Sequence, residues 1–409
     1  MNAQGAAKPS LFLHFAFCAS CVAFFGFVIS FPKNVLTTRR VTETEACIAL
    51  NMIPGLGPVR LRALIASLGT PEAILSAGRG ALASVDGVGR ETAAAIADWQ
   101  QTVDLPAELQ RIAEFGARVI TWNSPEYPST LRTIDNPPFV LYVWGELRAE
   151  DSRAISVVGS RNVTHYGAEC AKKLSFQFAY AGYTVISGLA RGIDSAAHQG
   201  ALAANGRTIA VIGSGLAKLY PPENQCLAEK IATSGAVVTE YPMTRPADRQ
   251  TFPYRNRIVA GWSKALVVIE AGLNSGALIT ANQAIEQGRS VFAVPGPIDR
   301  PTSAGSNRLI QQGAKLVTGA EDVLDELQTL LPAPRRATAT QPELLLKEAH
   351  LSHEETLILT ALEVGELSLD ELCSATRLPT YKLSSTLLGL ELKRLAKPLP
   401  GQRYVLLGK

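Results

Sequence analysis

The stretch SGLARGIDSAAHQG at residues 187–200 combines residue types that can bind an anion. An apolar run ends at Ser187 and Gly188, and an alanine-rich helix pattern begins after Arg191 and Gly192. Glycines leave backbone N–H groups accessible, and the amino end of a helix attracts negative charge. A phosphate cradle, a catalytic site and a tight structural turn are all consistent with this pattern, and other parts of the chain must decide between them.

Asp194 and His198 in this stretch are spaced so that they share one helix face, where acid–base catalysis is conceivable. An aspartate in a first turn more commonly stabilises the helix dipole or orders the preceding loop, and a histidine one turn on commonly packs or hydrogen-bonds locally. The sequence has no Ser–His–Asp order, metal-ligand cluster or carboxylate pair. We therefore predict that the protein is not an enzyme and that it uses no cofactor or metal.

Several other apolar runs also end in small or polar residues. These ends are Gly159-Ser160-Arg161, Gly213-Ser214-Gly215, Glu240, Glu270-Ala271-Gly272 and Pro295-Gly296. Because ligands of open parallel sheets bind beyond the carboxyl ends of the strands, these residues predict a crevice for a phosphate-bearing ligand. No G-x-x-x-x-G-K-[ST] pattern is present, and Lys218 replaces the third glycine of G-x-G-x-x-G, so neither an ATP nor a dinucleotide pocket is predicted.

The segment RQTFPYRNRIVAG at residues 249–261 sets cations beside aromatic rings. Its members of these two kinds are Arg249, Phe252, Tyr254, Arg255 and Arg257. Cations for phosphates next to a ring on which a base can stack are typical of single-stranded nucleic-acid sites. The alternative is a helix that starts at Pro253 with a buried aromatic residue and solvated arginines. The glycine-lined crevice favours the nucleic-acid interpretation.

The elements that must position these residues form an α/β domain. Seven β-branched apolar runs begin near residues 154, 183, 208, 236, 265, 290 and 314 and alternate with segments of helical length. Such runs predict a doubly wound parallel sheet covered by helices on both faces. The proline-rich stretch at residues 127–147 before them is predicted to be an extended connector.

Smaller domains are predicted on both sides of the sheet. Residues 42–125 read as a helical domain in which IPGLGPVRLRALIASLG (53–69) and VDGVGRETAAAIADW (85–99) form paired helix-hairpin-helix motifs. Such motifs either approach DNA phosphates or only support a neighbouring domain. After a flexible linker at 332–345, three helices and a hairpin at 346–409 predict a winged helix. Lys382, Lys393 and Arg394 are few cations for a recognition helix, which favours docking or weak DNA contact.

Composition limits the class of protein and its location. The 409 residues carry a formal net charge of +3 with 18% charged residues, so any anion-binding surface must be local. Six scattered cysteines fit a reducing compartment. Residues 1–41 include an uncharged run at 11–31 that is long enough to cross a bilayer. It is either a membrane anchor or an artefact of the assigned start, and in both cases the functional body is expected to be cytoplasmic.

Seven motifs in order along the central domain resemble the DNA-processing protein A family, DprA, also called Smf. They are Gly159-Ser160-Arg161, SGLARGIDSAAHQGAL (187–202), YPPEN (220–224), FPYRNRIVAG (252–261), EAGLNSGALITANQA (270–284), VPGP (294–297) and GSNRLIQQGA (305–314). The resemblance extends to YPSTLRTIDNPPFVLYVWG before the domain, and both flanking domains resemble accessory domains of many members. The apolar run at 11–31 departs from the family pattern.

The resemblance implies an extended Rossmann-like domain, at residues 126–331, that binds incoming single-stranded DNA and loads the recombinase RecA onto it during natural transformation. It also implies a cytoplasmic homodimer that touches a membrane only if the run at 11–31 is real. Carried over by motif, the expected DNA-binding residues are Ser160, Arg161, Ser187, Gly188, Arg191, Gly192, Arg249, Phe252, Arg255, Asn256, Arg257 and Gly276. Arg161 is expected to bind a backbone phosphate and Phe252 to stack on a base.

A rival hypothesis is a nucleotide-processing enzyme on a similar sheet. The segment EAGLNSGALIT, from Glu270 to Thr280, corresponds to the region in which lysine-decarboxylase-like phosphoribohydrolases have a glycine loop at their phosphate site. Those enzymes favour PGG-x-GT, which this chain lacks. The hypothesis remains open at the level of sequence.

Overall fold

The computed structural model describes residues 41–330, 353–362, 365–392, 395–399 and 403–406. It contains two compact units, one ending at Val323 and the other beginning at Leu324. The apolar run at 11–31 and the predicted linker at 332–345 lie outside the described residues. Within the described ranges, no helix is both long enough and apolar enough to span a bilayer.

The first unit begins with seven short helices. They are α1 (Glu43–Met52), α2 (Pro58–Leu68), α3 (Pro71–Ser76), α4 (Arg79–Ala83), α5 (Arg90–Ala97), α6 (Trp99–Thr102) and α7 (Leu105–Phe115). The turns before α2 and α5 pass through Gly55 and Gly87 with φ of +77° and +79°, a conformation that favours glycine. Arg60 Nε donates to the Gly87 carbonyl at 3.0 Å, and its Nη1 donates to the Gly55 carbonyl. One side chain therefore ties the two hairpins together, and the predicted pair of helix-hairpin-helix motifs is confirmed.

A nine-stranded sheet follows the helices. Its strands are β1 (Arg118–Thr121), β2 (Val140–Gly145), β3 (Ala154–Val158), β4 (Thr184–Ser187), β5 (Thr208–Val211), β6 (Ala236–Thr239), β7 (Ala265–Val268), β8 (Ser290–Ala293) and β9 (Lys315–Leu316). Their order is β1-β2-β6-β5-β4-β3-β7-β8-β9, and β3 to β9 pair in parallel. All seven predicted strands are present, and the extended Rossmann-like fold is confirmed.

Helices connect the parallel strands and cover both faces of the sheet. They are α8 (His165–Tyr180), α9 (Ile193–Ala203), α10 (Gln225–Ser234), α11 (Thr251–Trp262), α12 (Gly276–Glu286) and α13 (Ala304–Gln311). Helix α14 (Glu321–Leu330) follows β9 and extends into the second unit. Successive residues of β5 alternate between two core clusters: Ala210 belongs to the first, and Ile209 and Val211 belong to the second. The two clusters therefore lie on opposite faces of the sheet.

The predicted connector is wrong in part, because it contains a strand. Strand β2 pairs antiparallel with β6, and β1 pairs antiparallel with β2. The sheet therefore includes β1, which precedes the expected domain start at residue 126. Residues 140–143 are fully buried, since both faces of β2 are covered. A strand buried on both faces has no polar–apolar alternation to reveal it, and the prolines before β2 disguise it further.

The helical domain and the sheet share one hydrophobic core. Leu50 and Leu64 from the helices are in the same buried cluster as Tyr142 and Val237 from the strands. The buried Glu108 carboxylate accepts a hydrogen bond from Met243 N at 2.6 Å. The N-terminal helices are therefore packed against the sheet as part of one unit, which is the supporting role considered from the sequence.

From residue 353 onward, the described residues of the second unit form a small domain of three helices and three strands. Its elements are α15 (His353–Leu362), β10 (Leu367–Ser368), α16 (Leu369–Thr376), α17 (Thr380–Leu392), β11 (Ala396–Leu399) and β12 (Arg403–Leu406). The sheet order is β10-β12-β11, and Leu359, Leu372 and Leu387 lie in its core. The predicted winged helix is confirmed.

Candidate nucleic-acid interface

A cavity of about 770 Å³, the large cavity, opens at the carboxyl ends of β3, β4 and β7. Strand order reverses at β3, because the chain adds β4 on one side of it and β7 on the other. Such a switch point leaves a crevice between neighbouring loops. The residues that line the cavity come mainly from segments 158–162, 188–194, 249–259 and 272–280. The cavity is therefore at the strand ends from which the sequence predicted a crevice.

Two glycines allow the loops around the cavity to approach each other. Gly192 has φ of +75°, and a Cβ there would lie 2.4 Å from the Ser160 carbonyl oxygen. A Cβ on Gly188 would lie 2.6 Å from Arg255 Nη1. Both glycines are thus required by packing. The Gly188 N–H is also taken, since it donates to Asp194 Oδ2 at 3.2 Å, so the expectation that this amide is open to a phosphate is corrected.

Asp194 and His198 are both buried and both engaged within the protein. Asp194 Oδ2 also accepts from Ala190 N at 3.3 Å, and burial raises the pKa of this carboxyl while the charge of Arg255 opposes the rise. Nδ1 of His198 lies 2.7 Å from the Thr208 hydroxyl, and burial lowers the pKa of the imidazole to about 3. A neutral histidine and a loop-ordering aspartate match the supporting roles considered above.

Arg255 and Ser187 are expected DNA ligands whose polar groups face the protein instead. Arg255 is 4% exposed, and its Nη1 donates to the carbonyls of Gly188, at 2.7 Å, and Val211. Burial lowers the pKa of Arg255 to about 10, although Asp194 acts against this shift. Ser187 is fully buried and donates to the Val157 carbonyl at 2.6 Å. Arg255 does line the large cavity, but its Nη1 and the Ser187 hydroxyl are already bonded within the protein, so the Ser187 prediction is corrected and Arg255 has a structural role in addition.

Arg257 also requires correction, because it lies in the core and does not line the large cavity. It is 5% exposed, it forms an ion pair with the buried Glu240, and its guanidinium carbon is 4.2 Å from the centre of the Tyr254 ring. On a helix the residues facing one direction recur every three or four positions. Phe252, Asn256 and their neighbours on that face line the cavity, and Arg257 points away from it.

The exposed cations at the large cavity are Arg161 and Arg249. In the described part of the chain neither has a carboxylate partner. The Arg161 guanidinium carbon lies 4.7 Å from the centre of the Phe252 ring. The other neighbour of this ring is Tyr220, at a centroid distance of 5.7 Å and an interplanar angle of 53°. A cation and an aromatic ring therefore meet at the wall of the cavity.

The remaining expected residues fall into two groups. Ser160, Asn256 and Gly276 line the large cavity, and Gly276 is the first residue of α12 with open space where a Cβ would be. The partial positive charge at this helix end adds to that of the two arginines. Arg191 is exposed and paired with Glu223, and it lines a small recess that shares Arg161 and Phe252 with the large cavity.

Sequence reasoning about the site did not single out Tyr220. This residue is 42% exposed and borders the recess next to Phe252. Its motif, YPPEN, entered only through the family resemblance, since a lone tyrosine before two prolines has no chemical signature of its own. Only the fold brings it beside an aromatic residue from a distant helix.

A Rossmann-like sheet with a cationic, aromatic-lined cavity at its switch point, flanked by helix-hairpin-helix and winged-helix domains, defines a nucleic-acid-binding class of protein. Comparison with known families agrees. The chain matches the family described as DNA recombination-mediator protein A over residues 118–328, the DprA winged helix domain over 337–402 and the SAM-like helix-hairpin-helix tandem over 48–98. The chain belongs to the DNA recombination-mediator protein A family, DprA/Smf.

Individual relatives show the extent of the similarity. Protein Smf of Synechocystis is 34% identical and covers 89% of this chain and 98% of its own length. DNA processing protein DprA of Bacillus subtilis is 42% identical over 54% of this chain and 75% of its own. The crystal structure of DprA from Streptococcus pneumoniae covers 70% of this chain and 99% of its own, with 34% identity and a TM-score of 0.63. Family membership gives the chain a recombination-related, DNA-binding role.

The buried pair of Arg257 and Glu240 leads to a stability prediction. Arg257→Ala is expected to lower the free energy of unfolding by about 3–5 kcal/mol, because it leaves a buried carboxylate without its counter-charge. Chemical denaturation measures the change. Arg249→Ala, which removes an exposed arginine of the same region, should stay within about 0.5 kcal/mol of the wild type. Equal losses for the two variants would contradict the assignment of Arg257 to the core.

Proposed function

We propose that the protein binds single-stranded DNA in the large cavity, protects incoming DNA and loads RecA onto it during natural transformation. The observation that carries DNA binding here is the contact of Arg161 with Phe252 at the cavity wall. Arg161 is exposed and free of carboxylates in the described residues, so its charge is available to a phosphate. Arg249 adds a second available charge at the same cavity.

A preference for single strands follows from the position of Phe252. Its ring lines the cavity between Arg161 and Tyr220, and a base reaches such a ring only when it is free of a partner strand. Arg161 lies over the ring in the free protein. A phosphate that attracts the guanidinium would uncover the ring for the adjoining base, so the two groups act on neighbouring parts of one strand.

We also propose that the protein acts by binding and not by catalysis. The buried Asp194 and His198 are bonded to loop amides and to Thr208, respectively. In the rival enzyme Glu270 would work at the phosphate site. Here its carboxylate accepts from Thr164 N at 3.0 Å, and the residue is absent from the lining of the large cavity. Residues 272–276 line the large cavity in either case and Glu270 lines a different cavity, so the preference for a binding protein rests on Arg161 and Phe252.

The DNA-binding role is tested with Arg161→Ala and an oligothymidylate. Loss of one phosphate contact should weaken binding and make the slope of log affinity against log salt shallower by about 0.7. Fluorescence anisotropy at several salt concentrations measures both quantities, and the oligonucleotide should be recovered intact from the complex. Lys230→Ala is the control, because α10 carries this exposed lysine away from the strand carboxyl ends. Identical affinity and slope in both variants would remove Arg161 from the site.

A homodimer is the second part of the proposal. Ile285 on α12 is 57% exposed and Leu316 on the edge strand β9 is 47% exposed. A large apolar side chain on an edge strand, with a second one exposed on α12, suits association with a second copy. Sedimentation analysis should give a dimer for the wild type and a monomer for Leu316→Glu, with Leu357→Glu, an exposed leucine of the second unit, as the control. A wild-type protein that remains monomeric at all concentrations would reject this interface.

The RecA role requires a separate test. On single-stranded DNA coated with a single-strand-binding protein, the wild type should shorten the lag before RecA hydrolyses ATP. Arg161→Ala should restore part of the lag, because loading depends on the protein being bound to the DNA. A lag that the wild type does not change would end the RecA proposal, whereas the proposed DNA binding would stand on its own measurement.

A further inference from the structure

A second cavity, of about 670 Å³, is lined by residues that lie close in sequence to those of the large cavity. The two are built from the same two segments of chain. Asn162 and Pro301 line the large cavity, whereas Thr164 and Arg300 line the second. These two segments therefore form common walls of the two cavities.

Hydrogen bonds hold the walls of the second cavity in place. The Tyr166 hydroxyl donates to the Pro295 carbonyl at 3.1 Å, which joins the start of α8 to the loop after β8. Asn307 Nδ2 donates to the Gly296 carbonyl at 2.9 Å, and Gly296 N donates back to Asn307 Oδ1 at 3.1 Å. Because the walls are already tied together, a ligand entering the cavity loses little affinity to loop ordering.

The chemistry of the lining suits a nucleotide. Tyr166 is 50% exposed, and with Pro295 and Pro297 it provides an apolar surface that includes an aromatic ring. Arg300 and His165 lie on the same lining, both are exposed, and Arg300 has no carboxylate partner among the described residues. A cation beside such a surface can serve the phosphate and the base of one nucleotide. The volume is also within the range of small-ligand sites, about 300–1,000 Å³.

The acidic residue of this cavity does not oppose an anion at the rim. Glu270 is 3% exposed, and its Oε2 accepts from both the Thr164 amide, at 3.0 Å, and the Thr164 hydroxyl, at 3.1 Å. Its carboxylate is thus buried and bonded within the protein, whereas Arg300 and His165 are exposed.

We propose that the second cavity holds a further nucleotide of the same DNA strand that occupies the large cavity. Arg300 contacts its phosphate, and Tyr166 contacts its base. The inference rests on the proposed function, because it extends the footprint of the strand beyond the large cavity. It predicts that only strands long enough to span both cavities use Arg300.

Oligothymidylates of increasing length, from roughly 4 to 16 nucleotides, test this inference. Arg300→Ala should weaken binding of the long strands by roughly threefold to tenfold and reduce their salt slope by about 0.7, since one phosphate contact is lost. The shortest strands that bind should bind as they do to the wild type. Lys230→Ala should change neither length class. In addition, long strands containing 5-iodouracil should crosslink on irradiation to a peptide containing Tyr166, which mass spectrometry identifies.

The outcomes separate this inference from the function on which it rests. If the wild type binds DNA but Arg300→Ala and Lys230→Ala behave alike at every length, and Tyr166 is never crosslinked, the second cavity is not part of the strand's path. A Tyr166→Ala variant that binds long strands as tightly as the wild type would lead to the same conclusion. If the wild type binds no strand of any length, the proposed function itself fails and this inference fails with it.

Discussion

The buried network of Arg255 and Asp194 is the interaction on which the site depends. Arg255 donates to carbonyls at the ends of β4 and β5, and Asp194 accepts from the amides of the loop between β4 and α9. Each charge offsets part of the cost of burying the other. The loop is thereby held against Ser160, where Gly192 leaves no room for a side chain. The exposed cations of the large cavity, Arg161 and Arg249, lie on segments next to this buried network.

Burial separates the arginines with a structural role from those that are available to a ligand. Arg255 and Arg257 are almost inaccessible and bonded within the domain, whereas Arg161 and Arg249 are exposed at the large cavity. Arginines of similar appearance in the sequence thus split into two that hold the fold and two that remain available to a ligand. The N-terminal helices reinforce the same region, since Asn51 Nδ2 donates to the backbone carbonyl of Glu240 at 2.9 Å.

The sequence was sufficient for the parallel sheet and for part of the site. Strands β3 to β9 follow from β-branched runs, Arg161 follows from the residue types after a strand end, and Phe252 follows from those at a helix start. The errors have physical causes. Strand β2 is buried on both faces and shows no polar–apolar alternation. Ser187 is the last residue of β4, and its hydroxyl faces the neighbouring strand β3. Arg257 lies on the buried face of α11, which residue type alone does not reveal, and Tyr220 meets Phe252 only through the tertiary fold.

The Arg161 guanidinium lies over the Phe252 ring and so affects which kinds of ligand can reach that ring. A neutral nucleoside or a free aromatic compound has to displace Arg161 from the ring, at a cost of about 0.5–1 kcal/mol at an exposed site, and offers the displaced charge no new partner. A polynucleotide supplies both partners at once. Under the proposed function, Arg161 thus disfavours neutral aromatic compounds at the Phe252 ring by a small factor, whereas a polyanion gives the guanidinium a new partner.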